Sequence, residues 1–581
     1  MSRLLMVPLV PLVLLLALPL AGADAQVAHV QLTPRDSLRN LSEAHDAQFR
    51  FESLRRLNLP RLQPSAPQPC DATVGRMCYW DEDDDATEHD SSTIAETAPV
   101  LRARRRLVAV LDRLSAIAPG DVWIAGQRVR YLVESGADST AIEAAHQCRA
   151  AAWWCELLNG YALHSTGDYA MSETVFDSAL AAMPHDVRCR WNDISLLLGD
   201  SERDSYQRLP CDSRHEMEQR FWKLAQPSYA VHGNDRRTEH FSRVLLAELL
   251  SSSANAYGLS WGDDMREILI RYGPPLWYAA TWPTASIFAS GNASGITGHD
   301  RNHSYHFAVN GSGEKIHWDT HSKDARERYA PPYMDSLADL SAQFAMLKRG
   351  DSAVVIAIYA DAAKSDSAVL GLAGDSGTVV VMHDSVHAHV RRARTAWKEV
   401  VAGIENYDPV RRIDARARTF ITPPRAAPGA PELSTLLLFS GDTTADTGLP
   451  DGSANESING PLEDALAHAL TADELGGTRK LGLYWEMYGV NAADSAQENV
   501  SISVTRTDGG VLKWLAQALR VTPRDSPLAM QWHEAQISSG VTARSVVLDL
   551  SQLPAGTYRI ALGVGPAAGN QTVTSRDIRL R

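Results

Sequence analysis

Apolar positions along this chain change their period once, and the change divides it. From Leu101 the spacing is helical: Leu107, Val110, Leu111, Leu114 and Ile117 form one stripe, Arg104, Arg105 and Asp112 fall off it, and Pro119-Gly120 stops it. A second helix is predicted from Val122 to Glu134. Thr140-x-x-Glu143 has the form of a capping box ahead of Ile142, Ala144 and Ala145, and further helices are expected around Trp191–Leu198 and Arg214–Leu224. Beyond about residue 350 the period is two. Val354, Ile356 and Ile358 alternate with Val355 and Ala357, Val500, Ile502 and Val504 with Ser501, Ser503 and Thr505, and Tyr558, Ile560, Leu562 and Val564 follow the turn Pro554-Ala555-Gly556. Leu481 to Val490 is apolar or aromatic on both faces except at Glu486, as a central strand would be. Short strands with Gly, Asn, Asp and Pro between them predict an antiparallel β-sandwich, one or two, so the expected fold class is multidomain α+β with helices first.

The ends and the cysteines bear on compartment. Arg3, the apolar run Leu4 to Leu20 and the small residues of Ala23-Asp24-Ala25 form a secretory signal over 1–25, with cleavage expected after Ala25. Later apolar stretches are too short to span a bilayer, so the expectation is an exported chain, periplasmic or extracellular, with no integral membrane span. Residues 26–100 are polar and poorly periodic. Pro60, Pro64, Pro67 and Pro69 precede the acidic run Asp81 to Asp85, and the stretch is predicted to be an arm or linker with a disulfide loop. The six cysteines are expected to pair locally as Cys70–Cys78, Cys148–Cys155 and Cys189–Cys211. Cys148 and Cys155 can bond only if the helix breaks between them, because seven residues of one helix hold them roughly 10 Å apart.

Composition narrows the classes further. With 44% hydrophobic and 22% charged residues in 581, the chain has an ordinary globular make-up. Asp plus Glu (70) exceed Lys plus Arg (56), for a net charge of −14, which argues against a nucleic-acid partner.

Two stretches resemble known families. Gly160, Gly167, Tyr169, Phe176, Ala179, Leu180 and Pro184, within Trp153 to Pro184, fall at the offsets of a tetratricopeptide repeat, with Ser172 where that family usually has Ala. The resemblance implies stacked helical hairpins and a groove for a protein or peptide partner. Between about 220 and 280, Trp222, then Glu239, His240 and Arg243, then Trp261, Asp263 and Asp264, then Arg271, Tyr272, Gly273, Pro274 and Pro275 follow the block order of the GWxTD domain of exported bacterial proteins. Here Ser260-Trp261-Gly262-Asp263 stands in place of the name-giving motif. That resemblance implies an architecture and no reaction. Arg271 to Pro275 reads physically as a strand end entering a rigid turn. The domain division that follows is 1–25 signal, 26–100 arm, 101–225 helical repeat, 226–345 GWxTD-like segment and 346–581 β-sandwich region.

Candidate chemistry is sparse. Gly258-Leu259-Ser260-Trp261-Gly262 has the form of a nucleophile elbow, yet it follows a helix and a polar loop where an elbow needs a strand. His299, Asp300, His303, His306, His317, Asp319 and His321 concentrate possible metal ligands, set among Gly and Asn. The leading expectation is a non-enzymatic interaction or scaffold module. Its rivals are a metal-dependent hydrolase centred on the 295–321 loop and a glycan-binding sandwich. No cofactor is predicted, and zinc and calcium remain open.

Overall fold

The computed structural model describes residues 34–58, 72–79, 96–256, 259–274, 277–279, 295–298, 329, 331–360, 368–374, 377–382, 389–441, 459–477, 479–490, 497–507, 528–535, 540–566 and 569–581. Its first half is helical: α1 (Pro34–Leu57), α2 (Ala98–Ile117), α3 (Val122–Val133), α4 (Asp138–Gln147), α5 (Ala152–Ser165), α6 (Tyr169–Ala182), α7 (His185–Trp191), α8 (Asp200–Arg208), α9 (His215–Ala225), α10 (Asp235–Ser251) and α11 (Asp263–Tyr272). Asp121 starts α3 by accepting from the backbone N–H groups of Trp123 and Ile124, both at 3.0 Å. The α5–α6 hairpin is close-packed at Gly160, where a Cβ would lie 3.0 Å from the Phe176 ring, and Ser172 donates to the Gly160 carbonyl at 2.8 Å. Gly167, at φ +81°, turns the chain between the two helices. A break between α4 and α5 brings Cys148 and Cys155 into a disulfide, and Cys189 is bonded to Cys211. Cys70 lies outside the described residues, as do the signal segment 1–25 and the acidic run.

Four local expectations are corrected. Part of the stretch expected to be a polar arm is α1, which packs Ala44, Ala47 and Phe51 against Leu107, Leu111, Leu114 and Tyr131. Its buried face reads as polar because it carries Gln48 and Glu52. Glu52 accepts from Tyr131 Oη at 2.5 Å and from Arg130 at 3.2 Å, so these groups are paired inside rather than solvated. Thr140 is no cap, since α4 already begins at Asp138. Residues 192–198 are irregular, although Ile194, Leu197 and Leu198 are buried: Asp193 accepts from the Ser195 N–H at 2.8 Å and bends the chain out of helix. Arg271 and Tyr272 end a helix rather than a strand, with Gly273 at φ +82° as its stop; Pro275 lies outside the described residues.

The second half is built from two pairs of facing sheets. In the first pair, strands Val390–Ala396, Ser352–Tyr359 and Ala342–Arg349 form one sheet, and Ser336–Asp339, Ile413–Ile421, Val400–Asp408, Val369–Gly374 and Gly377–Met382 the other. Phe344, Met346, Val355, Leu370, Ala402 and Ile404 share the core between them. The strand Ala342–Arg349 spans the boundary drawn at residues 345 and 346, and its run of buried residues hid the period of two. In the second pair, Lys480–Val490 lies between Gly540–Asp549 on one side and Glu432–Leu433 with Leu437–Ser440 on the other. It faces a sheet of Glu474–Leu475, Thr572–Leu580, Gly556–Pro566, Gln497–Arg506 and Leu528–Ala535 across Trp485, Val500, Ile502, Tyr558 and Ile560. Glu486 is tolerated in that central strand because Arg349 reaches it at 2.6 Å and Tyr484 and Tyr488 donate to it. The sheets are not wholly antiparallel: Ser336–Asp339 pairs parallel with Ile413–Arg416, and Glu474–Leu475 parallel with Arg579–Leu580. Each of these is a short edge strand whose partner lies far along the chain, so no hairpin forces it to reverse against its neighbour.

Candidate functional site

The motif residues of the middle segment converge on α10, and they serve to hold helices together. Arg243 Nε donates to Glu239 at 2.5 Å, one turn back on the same face, while Nη1 reaches the carbonyls of Ile270 and Arg271 at 3.1 Å. A cation thus sits on the C-terminal carbonyls of α11, the end that favours positive charge. A Cβ at Gly273 would come within 3.1 Å of the same guanidinium, so the glycine serves close approach as well as its positive φ. Asp263 and Asp264 open α11, where negative charge is favoured. Asp264 accepts from Arg76 Nε at 2.7 Å and Nη2 at 2.9 Å, and this hydrogen bonding lowers its carboxyl to about 2. Trp261 packs against the helical core, and Trp222 lies 5.0 Å from the His240 ring.

Around α10 the polar groups are sealed in. His164 bridges Thr238 Oγ1 at 2.9 Å and Glu239 at 2.8 Å. Burial works to raise the Glu239 carboxyl, but Arg243 and His164 outweigh it and hold it far below the usual range. Tyr329 donates to Asp235 at 2.7 Å, and burial nonetheless pushes Asp235 up to about 6. Burial, reinforced by Arg236 and Arg243, keeps the His240 imidazole neutral by driving its pKa well down. Asp235, Thr238 and Arg236 are fully buried and His240 is 1% exposed, so these polar side chains of α10 lie where no substrate reaches them without opening the fold.

Among the described residues, an open cleft of about 620 Å³ lies beside these groups, between α6, α7, α9 and the loop leading into α10. Glu173 and Asp177 line one wall and both pair with Arg237, Glu173 at 3.1 Å. Glu173 also accepts from the Asn234 N–H at the start of α10 at 3.0 Å. Across the cleft lie Trp222, Lys223 and Tyr229. Charges of both signs line the cleft, while Trp222 and Tyr229 are buried beneath it, so what the cleft offers a ligand is mainly polar, a lining suited to a polar, extended segment.

The sequence-predicted metal ligands His299, Asp300, His303, His306, His317 and His321 lie outside the described residues. Among the described residues, His185, Cys189 and Cys211 bring three possible ligand atoms within 4.8 Å of one another, a grouping the sequence analysis passed over. The signal available was His185-x-x-x-Cys189, one helical turn apart; Cys211 joins only through the fold.

No family model matches this chain, and no curated protein matches it. Solved structures similar to parts of it include the PmoD soluble domain from a Methylocystis species, at 14% identity over 26% of this chain and 92% of that one, with a TM-score of 0.15. DUF3823 family proteins from Bacteroides ovatus (10% identity, 42% of this chain, 100% of that one, TM-score 0.16) and Parabacteroides merdae (9%, 38%, 89%, 0.14) are similar at the same level. At such scores nothing about activity or fold follows for this chain.

Proposed function

We propose that this chain is an exported, non-enzymatic interaction module. In this reading a tetratricopeptide-like helical array and a GWxTD-like segment are mounted on two β-sandwiches, and the cleft holds an extended segment of a partner protein. The observation that carries it is the contrast between the two polar regions: the polar side chains of α10 are enclosed, while the cleft next to them is open and lined by paired charges. An extended peptide offers main-chain donors and acceptors and side chains of either charge, which such a lining can meet. The disulfides, and the absence among the described residues of a helix long and apolar enough to cross a membrane, are consistent with an exported protein.

A photo-crosslinking amino acid placed at His215 or His232, both on the cleft, tests it in the native host. The expected result is one discrete protein adduct from both positions and none from the same group at Val547, on the exposed face of the second sheet pair. Equal labelling from all three positions, or none from the cleft, overturns the reading.

A further inference from the structure

We propose that reduction of the Cys189–Cys211 disulfide opens a zinc site formed by the two thiolates and His185, with its fourth position open to water. His185 and Cys189 stand four residues apart on α7, hence on one face. The imidazole Nε2 lies 3.8 Å from Cys189 Sγ and 2.9 Å from Asp212 Oδ1. Zinc bound at its usual lengths to nitrogen and sulfur sets an N···S edge of about 3.6 Å in a tetrahedron, so these two ligands already stand close to the required spacing. The two sulfurs must part to about 3.8 Å, a movement that Cα atoms 5.9 Å apart leave room for. Two sulfurs and one nitrogen are ligands zinc prefers, and they leave a fourth position for water.

The surroundings fit a metal ligand as well. With Nε2 turned to the metal, Nδ1 faces Asp186 Oδ1 at 3.3 Å, the carboxylate partner that fixes ring orientation in metal-bound histidines. His185 is 52% exposed and Asp212 83%, so both the reductant and the ion have a way in. The other disulfide differs, with Cys148 buried, and no second group of three such donors converges among the described residues. Arg188 and Asn192, at the end of the same helix, line the cleft, so the site adjoins it. The inference nevertheless stands on this geometry alone and not on the peptide-binding reading.

The chemistry balances with a dithiol as reductant. The dithiol gives two electrons and two protons to the S–S bond and becomes a disulfide; Cys189 and Cys211 become thiols. Zinc then displaces both thiol protons to solvent.

The test uses the full chain, oxidised or reduced with dithiothreitol and desalted without oxygen, and titrated with zinc or with cobalt(II) as its spectroscopic stand-in. The reduced chain should take up one more equivalent than the oxidised chain, with a thiolate-to-cobalt charge-transfer band and tetrahedral visible bands. His185→Ala keeps every thiol and should weaken that equivalent by more than the roughly 10–100-fold loss typical of an outer-shell change. The double variant Cys189→Ser/Cys211→Ser should abolish it, and Cys148→Ser/Cys155→Ser should not. Equal uptake by both redox forms, or full affinity in His185→Ala, overturns the proposal. So does a reduced chain whose helical circular dichroism collapses and is not restored by zinc.

Discussion

At the scale of single residues, the helical half is joined to the first sheet pair through buried charge. Glu405 and Arg418 are both inaccessible; Arg418 Nε donates to Glu405 at 2.8 Å, and Ser228 at 2.9 Å and the Ala230 N–H at 3.2 Å complete the carboxylate. Asp414 lies in the same knot. Burial first, then the neighbouring Glu405, pushes its carboxyl up to about 7 against the pull of Arg416. In the unfolded chain the same group titrates near ~3.9. The native state therefore holds a proton that the unfolded chain has lost, and the stability this contributes is complete below about pH 4 and gone above about pH 7. Asp235, raised to about 6, acts in the same direction. Asp414→Asn should flatten, without removing, the decline in urea midpoint as pH rises from 4 to 7. Midpoints that track the wild type across that window would rule out this origin.

Among elements, the contact depends on the lack of side chains. Gly371 and Gly403 are register partners on neighbouring strands, and Tyr229, from the loop between α9 and α10, lies flat on both. A Cβ at Gly371 would fall 2.4 Å from the Tyr229 ring, and the Arg418 guanidinium stacks on that ring at 3.8 Å. Gly371→Ala should displace the ring and cost about 1–3 kcal/mol, the range for overpacked sites. Gly476→Ala is the control, because its Cβ would meet nothing within 4 Å. Similar chemical denaturation of the two variants would show that the close approach is not what holds the halves together. The helices themselves follow more local rules: Leu107, Leu111 and Leu114 of α2 are buried as their spacing predicts, although Arg104, read as off that stripe, is buried with them and Ile117 is exposed. By contrast α1 is not legible in spacing, since its buried Glu52 is matched by Arg130 and Tyr131, 78 and 79 residues away.

For the whole molecule, the division into parts has a consequence that can be measured. The first sheet pair needs Ser336–Asp339 and Ala342–Arg349, which supply Phe344 and Met346 to its core. A fragment starting at Ser352 should keep the β-type melt of the second sheet pair, whose core lies wholly beyond residue 432, and lose that of the first, while one starting at Tyr333 should show both; a Ser352 fragment with both would show those strands to be dispensable. Sequence alone determined what depends on near neighbours: helical and strand periods, turn residues, the two disulfides whose partners lie 7 and 22 residues apart, and the order of helical and β halves. Tertiary structure alone decided which polar groups are sealed and which are open. The Glu405 knot joins residues 175 to 177 positions apart, and the Trp222 that lines the cleft also packs against the enclosed His240. A charged residue reads the same in sequence whether water or an opposite charge surrounds it, and only the packing of distant segments determines which it meets.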